Sequence, residues 1–238
     1  EVLPDSVYVL SSTEVYPEFR EYERFSTAVL NGALLTVVDA YLDRFSDEVA
    51  RLGVPAEPKI SQSSGGLMSV HMTRKLPIRA CLSGPAAGVL GAAHRAPAAG
   101  FRNVITLDIG GTSADVSVLI DGAATEVHNR MLAGFPLRLP ALDVNAVGAG
   151  GGSIAWIDVD GLLKVGPQSA GAHPGPACYG LGGVEATLTD ANVLLGRLND
   201  QALLDGRMQI RRDLAEASIG RLAEELGLDL METARGII

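Results

Sequence analysis

The residues best suited to chemistry lie in one short turn, Asp108-Ile-Gly-Gly-Thr-Ser113, between two alternating apolar stretches. Glycines have no Cβ and let backbone amides approach an anion closely, and hydroxyl groups add further donors. The pattern therefore predicts a β-hairpin that grips phosphate. Asp108 ends the first strand, where its carboxylate is placed to hold Mg²⁺ against that phosphate. A tight hairpin that needs glycine only for its turn is the alternative. The predicted phosphate-binding residues are Gly110, Gly111, Thr112 and Ser113.

A second glycine-rich segment, Val147–Ile154, places four glycines in five positions immediately before an apolar strand. Glycines in this arrangement leave bare amides for a ligand, and a flexible loop is the alternative. Here the predicted contacts are Gly150, Gly151, Gly152 and Ser153.

The segment Val165–Gly180 holds three prolines and many small residues without helical or strand periodicity, which predicts a stiff loop. Its side chains could donate, accept or attack, but a nucleophile would need a neighbouring base. Packing is the alternative for the cysteine and the tyrosine. The candidate substrate contacts are Ser169, His173, Cys178 and Tyr179.

Composition limits the class of protein. The chain has 238 residues, of which 47% are hydrophobic, so it is long enough for a real core. A net charge of -9 without a Lys/Arg cluster disfavours nucleic acid and anionic lipid as partners. Two cysteines exclude a disulfide framework, and no Cys/His spacing suggests zinc. No apolar run approaches the length of a membrane span, and no leader is recognisable, so we expect a cytoplasmic protein.

Periodicity predicts an α/β chain. The apolar spacing indicates two helical stretches between Arg20 and Leu52, ended by Gly53. A small-residue helix starting at Ser83 then precedes the strand and hairpin at Asp108. The predicted strands are Glu1–Ser12, Lys59–Ser63, Ala124–Val127 and Leu137–Leu142. Two later helices are also predicted. The first is capped by Thr189–Asn192 and reaches Leu198, and the second contains Ala215, Ile219, Leu222 and Leu226.

The order helix, strand and Asp-x-Gly-Gly-Thr hairpin is similar to the second phosphate segment of actin-like and Hsp70-like ATPases. Six segments together, covering nearly the whole chain, resemble the A-type subunit of the hydantoinase/5-oxoprolinase family. That family includes ATP-dependent hydantoinases and 5-oxoprolinases, which open a cyclic amide, and acetone-type carboxylases. The six segments are Ser12–Arg24, Gln62–Gly66, Ser83–Gly88, Asp108–Val116, Gly148–Ile154 and Val165–Asn192.

The resemblance implies an actin-like α/β lobe with a mixed sheet flanked by helices, forming one domain over residues 1–238. Within it we expect a helical segment at 20–55, the hairpin and glycine-rich loops at 56–200, and C-terminal helices at 201–238. The implied partners are an N-terminal lobe of the same polypeptide, a B-type subunit or domain, and a small-molecule substrate. The implied cofactors are ATP and Mg²⁺, with another divalent metal in the partner subunit.

The resemblance also implies roles for the candidate residues. Asp108 would organise Mg²⁺, and Asp115 would orient the attacking group or a metal-bound water, with a solvated carboxylate as its alternative role. The loop 150–153 would approach the nucleotide, and the loop 169–179 would line the substrate side. Two departures stand out: Ala114 replaces a usual threonine, and His173 replaces a usual acidic residue.

The implied reaction is ring-opening hydrolysis of a hydantoin or 5-oxoproline through a phosphorylated substrate. Two alternatives remain open: a ketone carboxylase subunit, and a non-catalytic nucleotide-binding scaffold.

Overall fold

The computed structural model describes residues 7–132, 134–199 and 208–238. The chain divides into two compact units, the first of Glu1–Thr106 and Ser117–Val144, the second of Leu107–Val116 and Asn145–Ile238. Both strands of the hairpin around Asp108 pass from one unit to the other, so the turn of that hairpin belongs to the second unit.

The described residues contain helices and strands in alternating groups, together with short 3-10 turns. The helices are α1 (Ser12–Val15), α2 (Glu21–Arg51), α3 (Val70–Lys75), α4 (Ser83–Arg95), α5 (Leu188–Leu194), α6 (Arg212–Leu226) and α7 (Leu230–Ile237). The strands are β1 (Lys59–Ser61), β2 (Leu67–Ser69), β3 (Val104–Ile109), β4 (Ala114–Ile120), β5 (Ala123–Ala124), β6 (Glu126–Leu132), β7 (Phe135–Leu142), β8 (Asn145–Val147), β9 (Ser153–Ile157) and β10 (Leu163–Ser169). The 3-10 turns are Pro77–Ala80, Pro97–Ala99 and Ala177–Tyr179.

The strands form four small sheets among the described residues, in place of the one mixed sheet that we expected. Three are two-stranded and antiparallel: β1 with β2, β6 with β7, and β9 with β10. In the fourth, β3 neighbours β4, and β5 and β8 pair antiparallel with β4. Short connections between successive strands favour such hairpins, because a parallel pair needs a long crossover.

The longest element, α2, buries one face in the first unit. Ala28, Leu35 and Leu42 recur at seven-residue intervals and are buried there. Two polar side chains on this face are fully buried and paired with backbone groups. Asn31 donates to the Lys75 carbonyl at 3.0 Å and accepts from the Ile78 amide, and Thr27 accepts from the Arg138 amide at 3.0 Å.

The same helix meets the length and composition criterion for a membrane span, with an 18-residue window of mean hydropathy 1.4. The expectation that no apolar run approaches that length was therefore wrong. The criterion concerns length and composition only, and 28% of this window is buried in the structure.

The second unit packs its helices around one apolar cluster. Ile219 and Ala215 of α6, Ala234 of α7 and Ala191 of α5 are fully buried in it. On the neighbouring hairpin, the Trp156 indole donates to the Gly166 carbonyl at 2.8 Å and joins β9 to β10. This unit carries the glycine-rich loop and the hairpin turn.

Several boundaries differ from the sequence predictions. The two helical stretches before Gly53 are one continuous helix. Residues 7–10 belong to no strand and α1 begins at Ser12, while residues 1–6 lie outside the described chain. The helix capped near Thr189 begins earlier, because Thr187 and Asp190 form its capping box, and it ends at Leu194.

Candidate functional site

The hairpin turn leaves a run of backbone amides without protein partners. One bond closes the turn, from the Gly110 amide to the Ser113 carbonyl at 2.8 Å. The next three amides, those of Gly111, Thr112 and Ser113, donate to no other group in the described chain. Gly111 and Thr112 are exposed and Ser113 is half-buried. Successive free amides in a turn are a concave donor set that suits an anion such as phosphate.

Two carboxylates flank this turn. Continuing the pairing set by the Gly110–Ser113 bond places Asp108 of β3 opposite Asp115 of β4. Neither carboxylate has an ion pair or hydrogen bond with another described residue. Directly opposite residues on paired strands have Cβ atoms about 5 Å apart, and like charges there repel. A divalent cation between them would remove this repulsion, and Mg²⁺ is commonly bound by one or two carboxylates together with phosphate oxygens. No group of three potential metal ligands occurs among the described residues.

The glycine-rich loop lies directly against the hairpin turn. The Gly151 amide donates to the Gly110 carbonyl at 2.9 Å, and the Gly152 amide to the Gly111 carbonyl at 2.6 Å. The amides of this loop therefore bind the hairpin, where the sequence suggested that they are bare. The loop is ordered by these bonds and accepts nothing from the amides of Gly111, Thr112 and Ser113, although Gly150 lies close to the last two.

The packing explains why this loop needs glycine. A Cβ on Gly150 would lie 2.6 Å from the Thr112 carbonyl carbon and 2.7 Å from the Ser113 amide nitrogen. A Cβ on Gly152 would lie 2.8 Å from the Gly111 carbonyl oxygen. These contacts are with backbone atoms, so a side chain at either position would displace the turn.

Ser153 supports the loop from inside. Its hydroxyl is fully buried and accepts from the Gly150 amide at 2.9 Å. The interpretation of Ser153 as a hydroxyl aimed at a ligand is therefore replaced by a bond within its own loop.

Two residues outside the loop hold it in place. Thr189 donates both its amide and its hydroxyl to the Gly151 carbonyl, each at 2.8 Å. The Gly152 carbonyl accepts from the Ala170 amide at 2.8 Å, which attaches the start of the stiff loop. Next to it, the half-buried Ser169 hydroxyl accepts from the Gly171 amide. The glycine-rich loop is thus bonded to the hairpin turn on one side and to Ala170, the residue after Ser169, on the other.

The far end of the stiff loop is fixed by Asp190. Its fully buried carboxylate accepts from the Cys178 amide at 2.7 Å and the Ala177 amide at 3.3 Å. It also accepts from the amide of Thr187 at 2.9 Å and its hydroxyl at 2.7 Å. One carboxylate therefore caps α5 and holds the 3-10 turn at Ala177.

The four candidate substrate contacts separate into two groups. Ser169 is half-buried and His173 is exposed, so both have accessible surface. Cys178 is fully buried in the apolar cluster, and burial together with the Asp190 carboxylate raises the pKa of its thiol. Tyr179 packs against the same cluster, and burial raises the pKa of its hydroxyl. The structure thus places Cys178 and Tyr179 as packing residues, which was the alternative for both.

Thr189 and Asp190 were missed as site residues, although the sequence identified their segment as a helix cap. The Thr-x-x-Asp spacing of Thr187 and Asp190 was the available signal, and it indicates a helix cap only. The contact between Gly151 and Thr189 joins residues that are 38 positions apart, so local sequence patterns do not reveal it.

Comparison with known proteins shows the family of this chain. The family model Hydantoinase/oxoprolinase matches residues 24–238. The chain is 43% identical to the caprolactamase subunit alpha of Pseudomonas jessenii, over 99% of this chain and 34% of that protein.

Two solved structures are also similar to it. A nucleotide-free acetone carboxylase, from work on ATP-dependent acetone carboxylation, matches with a TM-score of 0.83 and 30% identity over 95% of this chain and 32% of that one. The ATP-dependent caprolactamase of Pseudomonas jessenii matches with a TM-score of 0.74 and 41% identity over 98% of this chain and 34% of that one.

The chain spans about a third of the length of the caprolactamase subunit and of the two solved structures. The family match covers most of the chain and includes the hairpin, the glycine-rich loop and the stiff loop. This chain therefore belongs to the hydantoinase/oxoprolinase family.

Proposed function

We propose that this chain supplies nucleotide-binding residues to an ATP-dependent enzyme that opens a cyclic amide by hydrolysis. The observation that carries the proposal is the run of three unpartnered amides at Gly111, Thr112 and Ser113. Backbone amides and adjacent hydroxyls are suited to phosphate oxygens. The glycine-rich loop supports this role indirectly, because it fixes the turn without accepting a hydrogen bond from these three amides.

Mg²⁺ fits the same place. The facing carboxylates of Asp108 and Asp115 are free of protein partners, and each would be stabilised by a cation. Asp108 would hold the metal, and Asp115 would orient a metal-bound water or the attacking group. The metal would supply charge neutralisation for the transferred phosphoryl group, which is the main need of that chemistry.

The reaction we propose begins with transfer of the γ-phosphoryl group from ATP to the amide oxygen of the substrate, which releases ADP. Water then attacks the activated carbon, and the C–N bond breaks as the nitrogen takes a proton, which leaves an acyl phosphate. A second water hydrolyses this acyl phosphate, so the products are a ring-opened carboxylate with a free amino group and phosphate. In this chain, the hairpin amides position the phosphates. Ser169 and His173 are the accessible residues of the loop that we assign to the substrate side, whereas Cys178 and Tyr179 support it from the core.

A ketone carboxylase is the second candidate function. The acetone carboxylase structure favours it, since its TM-score of 0.83 exceeds the 0.74 of the caprolactamase. The higher identity to the caprolactamase, 41% against 30%, favours the hydrolase. A nucleotide-binding scaffold without turnover is the third candidate.

The remaining assignments follow from the family. An N-terminal lobe of the same polypeptide would complete the nucleotide cleft, and a B-type subunit would carry later chemistry with its own divalent metal. We also propose a cytoplasmic location.

Nucleotide binding tests the site directly. In the complete enzyme, Asp108→Asn should weaken binding of MgATP about tenfold or more, since a charge-assisted contact is lost. Gly111→Val should have a similar effect, because a branched side chain would obstruct the amides. Asp160→Asn, at an exposed carboxylate in another turn, is the matched control. Unchanged binding in both site variants would exclude this nucleotide site.

Substrate-stimulated ATP hydrolysis separates the three functions. Stimulation by caprolactam, hydantoin or 5-oxoproline supports the hydrolase. Stimulation that requires both bicarbonate and a ketone supports the carboxylase, and a flat response with retained nucleotide binding supports the scaffold.

A further inference from the structure

The loop Gln62–Gly66 has no role in the proposed function, yet it forms one wall of a cavity in the first unit. The cavity has a volume of about 330 Å³. Its other walls come from the residues after α1, from the 3-10 turn Pro77–Ala80, and from Leu139 and Pro140 in β7. A volume of this size is at the lower end for small-molecule sites.

Three half-buried polar side chains line this cavity without partners: Arg79, Gln62 and Ser64. None of them forms a side-chain hydrogen bond or an ion pair with the described part of the chain. Their side chains are partly exposed in the cavity, where a ligand can reach them. The cavity therefore presents donors that a ligand would satisfy.

Arg79 differs in this respect from comparable arginines. The described first unit contains four other half-buried arginines, and each binds an oxygen atom. Arg24 and Arg130 bind backbone carbonyls, and Arg74 and Arg138 bind carboxylates. Among the half-buried arginines of the described unit, Arg79 alone has a guanidinium that binds no acceptor, and Arg79 lines the cavity.

The walls of the cavity are held together before any ligand binds. Ser63, between Gln62 and Ser64, donates its amide to the Arg79 carbonyl at 2.8 Å and its hydroxyl at 3.0 Å. The Gln62 amide donates across the loop to the Gly66 carbonyl at 2.8 Å. Because the backbone of the cavity walls is already ordered, binding of a small molecule costs little conformational entropy there.

The charges of the cavity select the kind of anion. A guanidinium fork matches the two oxygens of a carboxylate, and the Gln62 amide and the Ser64 hydroxyl add donors. Glu18 also lines the cavity, but its carboxylate is paired with Arg138, so the guanidinium of Arg79 remains available to a ligand. Leu139 and Pro140 offer an apolar surface beside these groups.

We propose that this cavity binds a small carboxylic acid. The carboxylate lies on Arg79 with Gln62 and Ser64, and the apolar body of the ligand packs against Leu139 and Pro140. The proposal does not depend on the nucleotide site, whose residues belong to the other unit.

Calorimetric titration of the nucleotide-free protein tests this assignment. The probes are propionate and 5-oxoproline, with propionamide as the uncharged analogue and inorganic phosphate as the competing anion. We expect millimolar binding of the two carboxylates and none of propionamide. Arg79→Met should weaken carboxylate binding about tenfold or more, because a hydrogen bond between charged groups is lost. Arg79→Lys should weaken it less, since the charge remains without the fork.

Arg95→Met is the matched control, because Arg95 is exposed and does not line the cavity, and it should bind as the unmodified protein does. Far-UV circular dichroism checks that the Arg79 variants are folded. Equal carboxylate affinity in folded Arg79→Met would overturn the proposal. So would tighter binding of phosphate than of propionate, or no heat of binding for either carboxylate at about 20 mM. None of these results involves ATP, so they leave the proposed function untouched.

Discussion

Replacing Asp190 by alanine should destabilise the second unit more than replacing any exposed carboxylate of that unit. The Asp190 carboxylate is fully buried and accepts from four donors, on Ala177, Cys178 and Thr187. In Asp190→Ala, the amides of Ala177 and Cys178 would be left buried without an acceptor. Each unsatisfied buried donor costs about 1–3 kcal/mol.

The helix cap adds to this cost. Losing the capping box of α5 costs about 1 kcal/mol. Taking the middle of the range for two orphaned amides, the free energy of unfolding should fall by about 5 kcal/mol. That is a large fraction of the total stability of a domain, which is about 5–15 kcal/mol.

Urea unfolding followed by far-UV circular dichroism measures this change. The matched control is Asp229→Ala, which removes an exposed helix cap whose carboxylate accepts from the Glu232 amide at 2.8 Å. It should cost about 1 kcal/mol. If Asp190→Ala were no more destabilising than this control, the buried network would not hold the stiff loop as we argue.

Three further predictions concern the same unit and the thiols. Gly150→Ala should destabilise by about 1–3 kcal/mol in urea, because its Cβ would overlap the hairpin backbone, whereas Gly220→Ala, in open space on α6, should be neutral or stabilising. Iodoacetamide should modify the half-buried Cys81 faster than Cys178, because Cys178 is buried and its thiol pKa is raised further. Mass spectrometry measures the two rates, and equal rates would contradict this expectation. Two backbone amides of its turn lower the pKa of Asp158, so its stabilisation is present above the ordinary carboxyl pKa and is lost as pH falls below it. Asp158→Asn should therefore reduce the loss of unfolding free energy on acidification, measured by urea unfolding at several pH values. An unchanged pH dependence would contradict this assignment.

The hairpin was predictable because its information is local. Two apolar strands, two glycines and flanking acids specify a tight turn within a few residues, and the structure has β3 and β4 in those places. The helices before Gly53 and after Ser83 were predictable for the same reason, since apolar periodicity and small residues act within one or two turns.

The contacts of the glycine-rich loop were not predictable in this way. Four glycines indicate a close approach, but the partner at Gly110 and Gly111 lies about forty residues earlier and is chosen by tertiary pairing. The same holds for Thr27 and Asn31, whose polar side chains on an apolar helix face make sense only beside the backbone groups they bind. Most successive strands are joined by short loops, which produced small antiparallel sheets, because a parallel pair needs a long crossover.

Trp156 is the only tryptophan of the chain, and it lies in the second unit, three positions after the start of β9. Its indole is bonded to Gly166 and partly exposed, so its emission wavelength and quenching depend on whether the β9–β10 hairpin is intact. Intrinsic fluorescence excited at the red edge therefore follows the unfolding of this unit alone, without an added dye.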